Sequence, residues 1–183
     1  MPENKPRLLI ADVSGLLGCN LACYFRDKYE VLGIYNTHPV IIGGICVEKC
    51  DILRQGQINT IIAKFNPSQI IHCASLTNVD QCETDSDLAR ESNVLATRYL
   101  VEAMSDNADL VYISTDAVYD GFAGNFSENA KIMPQNYYGI SKYEGELEAL
   151  KKGNALILRT NIFGWNIQDK KSLSEWILDT LKA

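Results

Sequence analysis

Short apolar runs alternate with stretches of helical periodicity along most of this 183-residue chain. Apolar runs typical of buried strands occupy residues 8–11, 31–35, 69–73, 109–114 and 155–159. Apolar residues spaced three and four apart predict helices after Gly18, over residues 52–65, from near Ser86, whose hydroxyl can cap the helix, over residues 136–152 and from Leu173. The stretch between residues 35 and 52 predicts a loop, and residues 121–134 predict a longer surface loop.

This alternation constrains how the strands are joined. Consecutive strands separated by helices run parallel, and their crossovers are right-handed. The sequence therefore predicts an α/β fold, with one doubly wound parallel sheet over residues 1–183 and helices on both faces. In such sheets ligands bind beyond the carboxyl ends of the strands, so functional residues are expected just after strands.

Composition excludes several classes of function. A formal charge of −6 argues against a nucleic-acid partner, and 46% apolar residues suffice for one core. Residues 1–7 are polar, and no apolar run is long enough to span a membrane, so we expect neither secretion nor a membrane partner. Six cysteines without a C-x-x-C pair, together with only two histidines, predict no metal site and reduced thiols in the cytoplasm.

A glycine-containing turn follows the first predicted strand. Gly15 would let the backbone approach a pyrophosphate, and Gly18 would let helix and strand pack closely, with the amides around Leu16 and Leu17 facing the phosphates. This order predicts a Rossmann-like dinucleotide site. The G-x-x-G-x-x-G form of the motif is incomplete, because Asp12 replaces its first glycine and adds a carboxylate that would repel phosphate.

The end of the second predicted strand bears on the choice of cofactor. An acidic residue there would bind both ribose hydroxyls of NAD(H), but the chain has Asn36, Thr37 and His38. The absence of an acid permits a 2′-phosphate, although the expected arginine is missing too. We therefore expect NADP(H) or NAD(H), with NADP(H) favoured.

A tyrosine and a lysine four residues apart indicate proton-transfer chemistry. On a helix Tyr138 and Lys142 share a face, so the ammonium is expected to lie beside the phenol and to lower its pKa from about 10. About twenty residues earlier, a strand ends at Ser114 and Thr115, where a substrate carbonyl would be met. Together these residues predict reduction or oxidation at a carbonyl or alcohol.

The combined motifs are more specific than any one of them. The sequence resembles the extended short-chain dehydrogenases/reductases, and within them the dTDP-4-dehydrorhamnose reductase family. The stretches that carry the resemblance are residues 14–18, 70–83, 114–121, 138–142 with Gly145 and Glu146, and 158–164.

The resemblance implies roles for individual residues. Thr115 would hydrogen-bond a 4-keto oxygen with Asp116 nearby, Tyr138 would protonate it, and Lys142 would tune Tyr138 and hold the nicotinamide ribose. Further implied contacts are Asp51 and Ile52 beside the adenine, Cys73, Ala74 and Ser75 along the middle of the cofactor, Asn93 as a structural or water-binding residue, and Arg159 and Thr160 near the substrate edge.

The implied activity is NAD(P)H-dependent reduction of a 4-keto-6-deoxy sugar nucleotide. Two alternatives stay open: a sugar-nucleotide epimerase or dehydratase on the same scaffold, and a non-catalytic dinucleotide-binding regulatory subunit. Net consumption of NAD(P)H would separate the first alternative from a reductase. Because family members are longer, the resemblance also implies that the C-terminal substrate domain is largely absent and that turnover by these residues alone is poor. A homodimer is left open.

Overall fold

The computed structural model describes residues 5–167 and 171–182, and six parallel strands form one sheet within them. The strands are β1 (Arg7–Ala11), β2 (Glu30–Tyr35), β3 (Cys46–Lys49), β4 (Gln69–His72), β5 (Asp109–Ser114) and β6 (Ala155–Arg159). Their order in the sheet is β3-β2-β1-β4-β5-β6, and every neighbouring pair is parallel. This is the Rossmann order, in which the chain reverses direction across the sheet between β1 and β4 and opens a ligand crevice there.

Helices join these strands. They are α1 (Leu16–Phe25), α2 (Gln55–Phe65), α3 (Val79–Thr84), α4 (Ser86–Arg90), α5 (Ala96–Ala103), α6 (Tyr137–Ala149) and α7 (Leu173–Lys182), with a π-helical turn at Glu91–Leu95 and a 3₁₀ turn at Asp116–Val118. No helix in the described ranges combines the length and the apolar character needed to cross a membrane.

Apolar side chains cover both faces of the sheet. On one face Leu9, Ile70 and Leu110 pack with residues of α2 and α5 such as Ile58 and Leu100. On the other face a smaller cluster joins the strands to α1, and its fully or nearly buried members include Leu8, Ile10, Val13 and Ala22. The predicted doubly wound sheet with helices on both faces is therefore confirmed.

Two local predictions are wrong. The loop expected between residues 35 and 52 contains β3, an edge strand of four residues. None of these residues is buried, so the sequence has no apolar run that would predict the strand. The helix expected to be capped by Ser86 is capped by Asp85, whose carboxylate accepts the Leu88 N–H at 2.9 Å. That helix continues through the π-helical turn into α5, and the turn directs Asn93 toward the loop after β4.

Candidate active site

The turn between β1 and α1 brings strand and helix into close contact. Asp12 adopts a left-handed backbone with φ +66°, and the Gly15 N–H donates to its carbonyl oxygen at 3.2 Å. A Cβ at Gly18 would collide with this same carbonyl oxygen, so only glycine permits the approach. This is the packing that the sequence predicted for Gly18, and it holds Leu16 and Leu17 in the first turn of α1.

The Asp12 carboxylate folds back over this turn. It accepts the Ser14 hydroxyl at 3.0 Å, and a Cβ built on Gly15 would lie 2.6 Å from its second oxygen. Burial raises the pKa of Asp12, while the Ser14 hydroxyl, the Gly15 N–H and His38 act in the opposite direction. The carboxylate thus takes up donors of the turn that, in the predicted motif, would face a pyrophosphate.

A cavity of about 290 Å³ opens at the carboxyl ends of the strands. Its lining residues are Asp12, Ile34, Tyr35, Asn36, Thr37, Cys50, Asp51, Ile52, Leu53, Ala74, Ser75, Leu76, Ser92 and Ala96. The cavity spans the ends of β1, β2 and β4, where a doubly wound sheet binds nucleotides. A second cavity, which shares Asn36 and Asp51 with the first, is also lined by Lys49 and Arg54.

Four of the residues predicted to contact the cofactor line the first cavity, whereas Gly15, Leu16, Leu17, Gly18, Tyr138 and Lys142 do not. The four are Asp51, Ile52, Ala74 and Ser75, and the Asp51 carboxylate also accepts the Leu53 N–H at 3.1 Å. Cys73 is not among the lining residues. Burial raises the pKa of its thiol to about 12, which keeps it protonated and unreactive at neutral pH.

Thr115 and Tyr138 meet at the carboxyl end of β5. Thr115 directly follows that strand, and its hydroxyl accepts the Ala117 N–H at 3.1 Å and donates to Asp116 at 3.2 Å. The Tyr138 side chain lies close enough to Thr115 for the Thr115 hydroxyl to act on the pKa of the phenol in the lowering direction. Gly139 allows this meeting, because a Cβ there would collide with the Ala117 carbonyl oxygen. The structure therefore brings together the two hydroxyls that were expected to face a carbonyl.

Lys142 is buried one turn further along α6. Its Nζ donates to the Ile113 carbonyl oxygen at 2.7 Å, and only 3% of the residue is exposed. Burial lowers the pKa of this lysine to about 7, although Cys73 and Glu146 act in the opposite direction. The amine is therefore poised to exchange protons near neutral pH.

The predicted electrostatic effect of Lys142 on Tyr138 is wrong. Burial raises the pKa of Tyr138 above 10, and the only influence that lowers it is the Thr115 hydroxyl. The physical reason is that the Lys142 ammonium is directed to the carbonyl of Ile113 on β5, so the shared helix face does not place the charge against the phenol. Tyr138 is accordingly held as a proton donor.

Asn93 clamps the loop after β4 to α6. Its Oδ1 accepts the Leu76 N–H at 2.7 Å and the Ser75 hydroxyl at 3.0 Å, and its Nδ2 donates to the Leu76 carbonyl and to the Ser141 hydroxyl. Ser141 immediately precedes Lys142. Asn93 therefore has the structural role that the resemblance implied, and it couples the wall of the cavity to the helix that carries Tyr138.

The guanidinium of Arg159, at the end of β6, is bound by other protein groups. It forms two hydrogen bonds with the buried Glu146 carboxylate, at 2.9 and 2.6 Å, and a third with the Tyr119 hydroxyl at 3.0 Å. Ser114 also donates to Glu146, at 2.5 Å. The network ties β5, β6 and α6 together behind the site, while Thr160 is exposed at the end of β6.

Sequence reasoning gave no role to two buried neighbours of the site, Tyr112 and Glu146. Glu146 could have been found, since Tyr138, Lys142 and Glu146 recur every four residues on one face of α6. Tyr112 lies in an apolar run typical of a core strand, and no spacing relates it to Tyr138 or Lys142 in the sequence. In the described ranges no group of three or more His, Cys, Asp or Glu side chains could hold a metal, and all six cysteines are free thiols.

Comparison with known proteins identifies close relatives. Residues 6–177 match the RmlD substrate binding domain family. The chain is 36% identical over 160 residues to dTDP-4-dehydrorhamnose reductase of Aggregatibacter actinomycetemcomitans, covering 85% of this chain and 51% of that protein. It is 34% identical over 160 residues to methionine adenosyltransferase 2 subunit beta of Danio rerio, covering 85% and 47%. The chain thus spans about half the length of these curated relatives.

Solved structures give the same result. A hypothetical dTDP-4-dehydrorhamnose reductase from Sulfolobus tokodaii superposes with a TM-score of 0.84 at 35% identity, covering 95% of this chain and 61% of that one. The dTDP-4-dehydrorhamnose reductase of Bacillus anthracis in complex with NADP superposes with a TM-score of 0.74 at 30% identity, covering 89% and 57%.

Proposed function

Because the chain belongs to the RmlD substrate binding domain family, we propose that the protein carries out NAD(P)H-dependent reduction of a 4-keto-6-deoxy sugar nucleotide. The observation that carries the proposal is the meeting of the Tyr138 and Thr115 side chains at the carboxyl end of β5, with the buried amine of Lys142 one turn further along the same helix. A relative of known structure binds NADP, and a relative at 36% identity is named dTDP-4-dehydrorhamnose reductase.

The residues present fit most of a dinucleotide. The cavity of about 290 Å³, whose lining includes Asp51, Ile52, Ala74 and Ser75, would take the adenine and the ribose attached to it. Gly15 adds no side chain to the turn, Gly18 lets α1 pack closely on it, and Lys142 would hold the nicotinamide ribose. Asp12 is the one residue that opposes the pyrophosphate, through its charge. When bound, the cofactor supplies the hydride for the carbonyl carbon.

The side chains supply the proton. The Thr115 hydroxyl and the Tyr138 phenol would both donate to the ketone oxygen and so align the carbonyl. As negative charge develops on that oxygen, Tyr138 transfers its proton, and the ketone becomes an alcohol. The raised pKa of Tyr138 keeps the phenol protonated before this step. Once the alcohol has formed, the Thr115 hydroxyl could turn toward Tyr138 and stabilise the phenolate until it regains a proton.

Substitution of Tyr138 tests this assignment. We expect Tyr138→Phe to lower kcat for a dTDP-4-keto-6-deoxy sugar by about 10²–10⁴-fold, because the general acid is lost. The assay follows the disappearance of NADPH absorbance. Tyr137→Phe is the matched control, since Tyr137 precedes Tyr138 in α6, is 47% exposed and has no role in the site. Wild-type turnover by Tyr138→Phe would exclude the proposed mechanism.

The second cavity supports a preference for NADP(H). Lys49 and Arg54 line it beside Asn36, close to where the ribose-reading residue was expected. We expect the double variant Lys49→Ala/Arg54→Ala to weaken NADPH binding by about tenfold, since each cation would pair with a 2′-phosphate. NADH is the matched control ligand, and its affinity should not change. An equal loss for both cofactors, measured by titration calorimetry, would show that these cations do not read the 2′-phosphate.

A regulatory subunit is the second candidate function. It is favoured by the carboxylate of Asp12 in the phosphate turn and by the similarity to methionine adenosyltransferase 2 subunit beta. In that case the protein would bind a methionine adenosyltransferase and change its kinetics without consuming NADPH. Net NADPH consumption with a keto sugar nucleotide, combined with no effect on a methionine adenosyltransferase, would decide for the reductase.

A further inference from the structure

The ammonium of Lys142 lies against the face of a buried aromatic ring. Its Nζ is 4.3 Å from the centroid of the Tyr112 ring, and Tyr112 is 0% exposed. The hydrogen bond to the Ile113 carbonyl satisfies one of the three N–H groups of the ammonium. The ring face therefore occupies a position that water molecules would take around a solvent-exposed lysine.

Tyr112 is itself fixed from several sides. The ring makes an edge contact with His72 at a centroid distance of 5.5 Å, and its hydroxyl contacts the Thr97 side chain and the Lys142 carbonyl. At Gly145, one turn of α6 beyond Lys142, a Cβ would collide with the Tyr112 hydroxyl. The absence of a side chain at Gly145 thus lets α6 lie close enough for Lys142 to reach the ring.

An aromatic face attracts a cation most strongly where water is excluded. The negative face of the ring offsets part of the hydration that a buried ammonium loses. The other ionisable groups around Lys142 are Glu146 on α6 and Cys73 and His72 at the end of β4. Burial lowers the pKa of His72 to about 3, so this imidazole is neutral at physiological pH. Tyr112 is thus an uncharged group that stabilises the protonated amine of Lys142 through a cation–π contact.

We propose that Tyr112 is a positioning residue, whose ring face favours the protonated form of Lys142 and fixes its ammonium against β5, one helical turn from Tyr138. This inference rests on the proposed function for its catalytic meaning. The effect of the Tyr112 ring on the protonation of Lys142 does not depend on turnover. Tyr112 acts through Lys142 and has no role in binding substrate.

Titration of Lys142 tests the inference directly. In protein labelled with ¹³C at lysine Cε, NMR follows each lysine with pH, and Lys142→Arg assigns the Lys142 signal. Tyr112→Phe keeps the ring and should leave the pKa of Lys142 close to that of the wild type. Tyr112→Leu removes the ring and should lower this pKa by about one unit, a tenfold change in the protonation equilibrium. The remaining lysine signals report whether the fold is intact.

Fluorinated phenylalanines at position 112 provide a second series if Tyr112→Leu does not fold. Successive fluorine atoms weaken the negative face of the ring with little change in shape, so the pKa of Lys142 should fall stepwise with fluorine number. A Lys142 pKa that is the same across the series, or in a folded Tyr112→Leu protein, would overturn the inference. Because no cofactor or substrate is present in this experiment, its failure is distinguishable from the loss of the proposed reductase function.

Discussion

Replacing Asp12 with glycine is expected to tighten NADPH binding by about tenfold or more. The carboxylate lies over the Gly15 turn and engages the Ser14 hydroxyl. Two like charges about 4 Å apart near a protein surface repel by roughly 4 kcal/mol, so even part of this repulsion exceeds a factor of ten in affinity. Glycine also adopts the left-handed backbone at position 12 without a side-chain penalty. Titration calorimetry measures the change.

Asp12→Asn is the matched control for charge, because it keeps the size of the side chain and tolerates the left-handed backbone. We expect its affinity to fall between those of the wild type and Asp12→Gly. Burial raises the pKa of Asp12, so the wild-type affinity should increase as the pH falls through that value, and Asp12→Gly should lack this increase. Equal NADPH affinity in the wild type and both variants would show that the carboxylate does not compete with the pyrophosphate.

The central strands of the sheet could be predicted because they contain the buried apolar residues of the core. Such strands appear in sequence as apolar runs, and the predicted strand at residues 109–114 agrees with Asp109–Ser114. The edge strand Ala155–Arg159 was predicted as well, because its first four residues are apolar although none of them is buried. The strand Cys46–Lys49 has polar residues at an exposed edge and gives no such signal. Apolar runs therefore reveal the strands that are apolar in sequence, including one edge strand, and miss the polar edge strand.

Two residues of the candidate site could be predicted from the sequence, whereas the directions of its charged side chains could not. Thr115 and Tyr138 were identified from their places after a strand and on a helix, and the structure brings their side chains together. The direction of the Lys142 ammonium and the partner of Arg159 depend on contacts between distant elements. Helical spacing fixes which residues share a face, whereas the tertiary neighbours decide which group each charge meets.

Replacing Glu146 with alanine is expected to lower the free energy of unfolding by about 3–5 kcal/mol. Glu146 is 1% exposed, and its carboxylate accepts two hydrogen bonds from Arg159 and one from Ser114. Removing it leaves a guanidinium and a hydroxyl without this partner inside the protein, which costs more than the intact pair contributes. Urea denaturation followed by circular dichroism measures the loss.

Glu148→Ala is the matched control, because Glu148 lies on the same helix and pairs with Arg98 and Lys151, whose side chains are largely exposed to water. Exposed cations regain hydration when their partner is removed, so the loss should be clearly smaller than for Glu146→Ala. The double variant Glu146→Leu/Arg159→Met removes both charges and should recover part of the stability lost in Glu146→Ala. If Glu146→Ala and Glu148→Ala were equally stable, the Glu146 network would contribute no more than a surface ion pair. The junction of β5, β6 and α6 behind Thr115 and Tyr138 would then depend on apolar packing alone.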